Sequence, residues 1–314
     1  MGGPCQQGPW ALPLAATGRR RSRSGSRRPG RWDRFRRPTQ DLPRPFWLMA
    51  DVGSGTEIEV SVLGPVSVLG AARPLRRAWA LDLVVYLALH PRGATTEQWS
   101  TALWPDRLMA PSTMYSTASA ARRALGRSPS GSDHLPHGHG RLHLAPTVRT
   151  DFGQLRELAD RPDPEFWGEG LALVRGRPFD GLRSPDWTVL EGISSQVEEL
   201  VVRTAMALAE HRLVAGDGPG ATWAARQGLR ASPFDERLFR LLLRAADLEG
   251  NPAGVESAMA ELMVLVGESS PGHAQRGTRG RIDELPVHPE TSALYWALSR
   301  RPGSGATRGS FARL

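Results

Sequence analysis

Residues 113–126, TMYSTASAARRALG, gather Tyr115, Ser116, Ser119, Arg122 and Arg123 on one side of an apolar repeat, with Thr113 opening the stretch. The hydroxyls donate and accept, the two guanidinium groups only donate, and the stretch holds no carboxylate. Such a set suits a surface rich in anionic acceptors. Phosphate oxygens fit it, and so do the base edges of a DNA major groove, where arginine pairs bidentately with guanine. On the other side Met114, Ala118, Ala121 and Leu125 recur at spacings of four, three and four, which predicts a helix. A solvated helix face would use the same residues, so the surrounding elements have to decide between the two uses.

Those elements are short and ordered. EIEVSVLGPVSVLG (57–70) alternates Ile58, Val60 and Val62, breaks at Gly64-Pro65, and resumes at Val66 and Val68, predicting a pair of strands. RRAWALDLVVYLALHP (76–91) changes to helical spacing and stops at Pro91. A turn at Gly93 and an N-cap at Thr95 or Thr96 precede a short helix carrying Trp99, Leu103 and Trp104, and Pro111-Ser112 opens the helix over 113–126. DHLPHGHGRLHLAP (133–146) is expected to close as a hairpin with Gly138 and Gly140 at its tip. Strands, three helices and a closing hairpin predict a winged helix-turn-helix at 57–150, its third helix in the groove and Arg141 of the wing on the backbone. His134, His137, His139 and His143 crowd the hairpin. Without cysteine and with scattered spacing, they read as polar wing side chains sooner than as a metal site.

Charge is unevenly distributed. The chain has 314 residues and a net charge of +8, all 40 basic residues being arginine. Residues 1–50 carry +9, residues 57–150 carry +4, and residues 151–300 carry −7. The Arg/Ser/Gly/Pro-rich segment 1–56 and the tail 301–314 are expected to be disordered, for want of apolar surface to bury. A nonspecific nucleic-acid arm is one reading of this tail; without aromatic interleaving or a repeat it reads sooner as upstream sequence translated from an early start, Met49 standing shortly before the first periodic pattern. Cys5 is the sole cysteine, which excludes an intramolecular disulfide and suits a reducing compartment. No apolar run approaches the length that spans a bilayer.

Residues 151–300 read as helical throughout. GDGPGATWAARQGL from Gly216 and GNPAGVESAMAELM from Gly250 are offset by 34 residues, aligning Gly220 with Gly254 and Ala224 with Ala258. That period belongs to tetratricopeptide-like helix pairs. Ser184-Pro185 is expected to open one long helix through Trp187, Leu190, Ile193, Val197 and Leu200. Ser232-Pro233 is expected to open another with Phe234, Leu238, Leu241, Leu242 and Ala245 on its apolar face. An acidic helical block suits protein partners better than nucleic acid, and a plain structural domain is the alternative.

Taken together, the segments VLGPVSV, PLRRAWALDLVVYLALHPRGATTEQWSTALWPD, ARRALG, GRL, TDFGQL, GLALVRGRPFDGL and VHPETSALYWALSRR resemble, in order and spacing, the actinobacterial antibiotic-regulatory-protein type of transcriptional activator. The resemblance covers about residues 58–300. It implies a mainly α protein, with a winged helix-turn-helix followed by a tetratricopeptide-like bacterial transcriptional activation domain. It also implies a cytoplasmic regulator that binds double-stranded promoter DNA, for which the helix-face and wing residues Thr113, Tyr115, Ser116, Ser119, Arg122, Arg123 and Arg141 are the candidates. RNA polymerase or another protein would be the partner of residues 151–300, and the chain would be able to act as a homodimer. The form is also similar to the cytoplasmic ends of membrane-anchored members. Where that family's wing has Gly-aromatic-Arg, this chain has His139-Gly140-Arg141. The other reading is a protein-interaction scaffold whose winged helix reads no sequence. Without a phosphate-binding loop, a nucleophile–base pair or a strong metal-ligand cluster, no enzyme activity and no cofactor are expected.

Overall fold

A computed structural model describes residues 58–138, 140–268 and 287–300. The expected disordered segments at 1–56 and 301–314 lie outside the described residues, as does His139. Strands β1 (Ile58–Ser61) and β2 (Ser67–Leu69) pair antiparallel around the Gly64-Pro65 break, Val60 opposite Val68. β5 (Val148–Thr150) adds to the other edge of β1 in parallel, giving the order β2-β1-β5. Helices α1 (Ala78–Ala88), α2 (Thr96–Leu103) and α3 (Pro111–Leu125) lie between β2 and β5 in the chain, with β3 (Ala94–Thr95) leading into α2. Thr95 is the cap of α2: its hydroxyl accepts the Gln98 N–H while the Gln98 side chain accepts the Thr95 N–H, a reciprocal capping box.

Among the described residues, the segment expected to form a hairpin closes on itself at its base, where Ala145 donates its N–H to the His134 carbonyl at 2.8 Å, without forming a ladder of two strands. Its one strand among the described residues, β4 (Arg141–Leu142), pairs antiparallel with β3, Thr95 opposite Arg141. Leu142 is thereby placed opposite Ala94, which is buried. The resulting arrangement is a winged helix with its wing anchored across the domain.

The rest is helical: α4 (Asp151–Ala159), α5 (Pro164–Ala172), α6 (Asp186–Leu190), α7 (Ile193–Val214), α8 (Gly218–Ala231), α9 (Glu236–Leu248), α10 (Pro252–Glu268) and α11 (Pro289–Ser299). The 34-residue period has a local cause. Asp217 and Asn251 cap α8 and α10, and their side-chain oxygens accept the N–H of Gly220 and Gly254. A Cβ on Gly220 would meet the Asp217 carboxylate, and one on Gly254 the Asn251 amide and the Ala246 Cβ, so a side chain at either position would displace the cap as it now sits.

Two expected helix starts are corrected. The helix from Ser184-Pro185 is interrupted, because Gly192 takes a left-handed φ of 71° and separates α6 from α7, leaving Leu190 81% exposed. α9 is capped by Asp235, not Ser232, with the Asp235 carboxylate accepting the Arg237 N–H. Phe234 therefore lies in the preceding turn, 59% exposed, while Leu238, Leu241, Leu242 and Ala245 are buried as expected.

The winged helix and the helical part share one apolar core. Polar locks hold them together. Asp151, the first residue of α4 and 1% exposed, accepts the N–H groups of Val62 (2.7 Å) and Leu63 (3.0 Å) and a bond from Arg175 Nη2 (2.8 Å). Asp82 on α1, also buried, accepts the N–H groups of Arg183 and Ser184, and burial raises its carboxyl pKa. Tyr86 packs edge-on against Trp187, and its hydroxyl donates to Glu191.

Candidate nucleic-acid interface

Pro111 supplies the preset φ that starts α3, and Gly126, at a φ of 77°, ends it. A Cβ on Gly126 would come within 2.6 Å of the Ala72 Cβ, so the close approach of the β2–α1 connection also calls for glycine here. That connection caps the helix: Ala72 and Arg73 donate their N–H groups to the carbonyls of Leu125 and Ala124. Inward, α3 buries Thr117, Ala118, Ala121, Ala124 and Leu125 against α1, with Met114 only half-buried.

The outward residues fall into two groups. Tyr115 is 75% exposed, Ser116 and Arg123 are exposed, and Thr113 and Ser119 are half-buried at the edge of the same face. The hydroxyls of Ser116 and Thr117 both donate to the Thr113 carbonyl at 2.9 Å, which leaves the oxygen lone pairs of Ser116 available as acceptors. Among the described residues Arg123 makes only a local bond, from Nε to the Ser119 carbonyl at 3.3 Å. These five side chains form one continuous acid-free flank.

Arg122 and Arg141 are engaged inside the fold. Arg122 donates from Nε to the Leu135 carbonyl at 2.9 Å, bracing the start of the wing against α3. Arg141 donates from Nη1 to the Gly93 carbonyl at 2.7 Å, tying β4 to the turn before β3. Of the wing histidines, His134 is buried, its Nδ1 2.8 Å from the Thr147 hydroxyl, and burial pushes its imidazole below the usual pKa. His137 and His143 are exposed, and no group of three potential metal-ligating side chains occurs among the described residues.

Three further arginines join this surface that the periodicity of α3 could not reveal. Arg73, Arg76 and Arg77, from the connection into α1, line an open groove of about 190 Å³ together with Arg123, over a floor that includes Leu75, Ala80, Ala120 and Ala124. All four arginines are exposed. The available signal was ARPLRR itself, three arginines in five residues with no acid between them.

No protein-family profile and no curated protein matches the chain. In fold it is similar to the solved structure of Mycobacterium tuberculosis EmbR in complex with a low affinity phosphopeptide, at 18% sequence identity, with 77% of this chain and 69% of that chain covered and a TM-score of 0.49.

Proposed function

We propose that this protein is a DNA-binding transcriptional regulator, an activator of the antibiotic-regulatory-protein kind that works in the cytoplasm and not as an enzyme. The observation that carries the reading is the acid-free outer flank of α3, with Tyr115, Ser116 and Arg123 exposed on a helix that a winged-helix frame holds from behind. In the major groove, Arg123 would pair with guanine or phosphate, Tyr115 would lie against the groove wall, and Thr113, Ser116 and Ser119 would meet backbone or base acceptors. Arg122 and Arg141 would serve with their remaining N–H groups while fixing the wing. The acidic helical part, −7 over residues 151–300, would be repelled by DNA and would face a protein such as RNA polymerase. Among the described residues no helix is long and apolar enough to cross a membrane.

Selection of bound duplexes from a random pool tests this reading. The chain should begin at Met49, because the 11 arginines of residues 1–50 would hold any polyanion. Recovery of an enriched motif at physiological salt is expected. A pool that stays random would favour the second reading, a protein-interaction scaffold. The internal engagement of Arg122 and Arg141 is the feature that supports that alternative.

A further inference from the structure

We propose that the groove lined by Arg73, Arg76, Arg77 and Arg123 is a phosphate-binding site that holds the DNA backbone beside the footprint of α3. The inference rests on the DNA-binding reading for its ligand, but its residues are distinct from the base-reading flank except for Arg123.

Four guanidinium groups around one open groove repel each other, and the lining supplies no carboxylate to relieve them. Arg73, Arg76 and Arg77 make no side-chain hydrogen bond or ion pair with any described residue, unlike Arg122 and Arg141, whose donors are used within the fold. Their position is nonetheless built. The Arg73 N–H is bonded to the Ala124 carbonyl, and the Arg76 N–H to the Pro74 carbonyl, so the arginine-bearing connection is pinned to the end of α3. α1 starts at the same groove with no side-chain cap and no acid in its first turn, which adds partial positive charge to a site the arginines already define. Arrayed charges held by backbone bonds suit a ligand with several phosphates in a row better than a single anion. Sharing Arg123 with the groove-facing flank of α3 makes that ligand the phosphodiester backbone of duplex DNA.

The salt dependence of duplex binding by the full chain tests the site, because each phosphate contact contributes about 0.9 to the slope of log affinity against log salt. Arg73→Ala, Arg76→Ala, Arg77→Ala together should lower that slope by about 2–3 and leave the thermal unfolding midpoint in place, since these side chains hold nothing in the fold. Arg177→Ala, Arg203→Ala, Arg244→Ala removes the same net charge from exposed positions of the helical part and should leave the slope unaltered. Loss of slope in the first variant with the enriched motif retained supports the groove. An unaltered slope overturns it, whatever the random pool yields, and so does equal loss in both variants. Loss of slope in a protein that enriches no motif keeps the groove as a backbone site and removes only the sequence-reading role of α3. Binding of a poly-glutamate peptide that depends on Arg73, Arg76 and Arg77 while the duplex slope stays fixed would also overturn it, assigning the groove to an acidic protein.

Discussion

The carboxylate of Asp151 and the backbone N–H of Val62 meet at 2.7 Å, although 89 residues separate them in the chain. The same carboxylate accepts from Leu63 and Arg175, so one buried side chain ties the end of β1 to the start of α4 and to the segment after α5. Removing it strands three backbone donors, the N–H groups of Val62, Leu63 and Phe152, and one guanidinium group. Asp151→Ala is expected to lower stability by about 3–5 kcal/mol in urea unfolding. Arg175→Ala, whose side chain is partly in solvent, should cost markedly less. Equal losses would mean that the carboxylate does not unite these segments.

Tyr86 provides a pH signature for the contact between α1 and the turn after α6. Burial first, and then the neighbouring Glu191 charge and its hydrogen bond, push the phenol up to about 12 from an ordinary value of 10.0. Its folded pKa exceeds its unfolded one, so its contribution to stability is complete below pH 10 and is lost as pH rises towards 12. Absorbance titration should contain a phenolate component with a midpoint near 12 that is missing from Tyr86→Phe. If the component lost in Tyr86→Phe has its midpoint near 10 instead, the packing is contradicted.

Two helical glycines should respond in opposite directions. A Cβ at Gly228 on α8 would lie 2.6 Å from a terminal carbon of Leu238 and 2.9 Å from the Cβ of Ala205. The leucine can rotate away, whereas the Ala205 Cβ moves only with α7. Gly228→Ala is therefore expected to destabilise by about 1–3 kcal/mol. At Gly168 on α5 the nearest atom is 3.8 Å away, so Gly168→Ala should stabilise by up to about 1 kcal/mol through helix propensity. Thermal melts of the two variants check the contrast.

Adjacent arginines on α3 should divide their effects. Arg122→Ala removes the bond to the Leu135 carbonyl and should cost about 0.5–1.5 kcal/mol of stability. Arg123→Ala should leave stability within experimental error and lower the salt slope of duplex binding by about 0.9. A double variant with unaltered DNA affinity would remove α3 from the interface.

What could be read from the chain directly was whatever depends on near neighbours. The alternation of Ile58, Val60 and Val62, an N-cap at Thr95 or Thr96, and the Pro111 start of α3 are all relations within a few residues. So is the 34-residue repeat, since each copy of Asp217 or Asn251 meets its own glycine three positions on. Gly192 and Asp235 were also local signals, but a helical apolar pattern ran across the first and Ser232-Pro233 competed with the second. Tertiary structure alone decided the partners of the long polar side chains and of the strand edges. β4 takes β3 as its partner strand, Arg122 reaches Leu135, Arg141 reaches Gly93, and Arg73, Arg76 and Arg77 gather beside Arg123. Apolar periodicity states which face of an element avoids water. It carries no information on where a guanidinium group at the end of a flexible stem finds a carbonyl, because that acceptor is placed only when the chain has closed on itself.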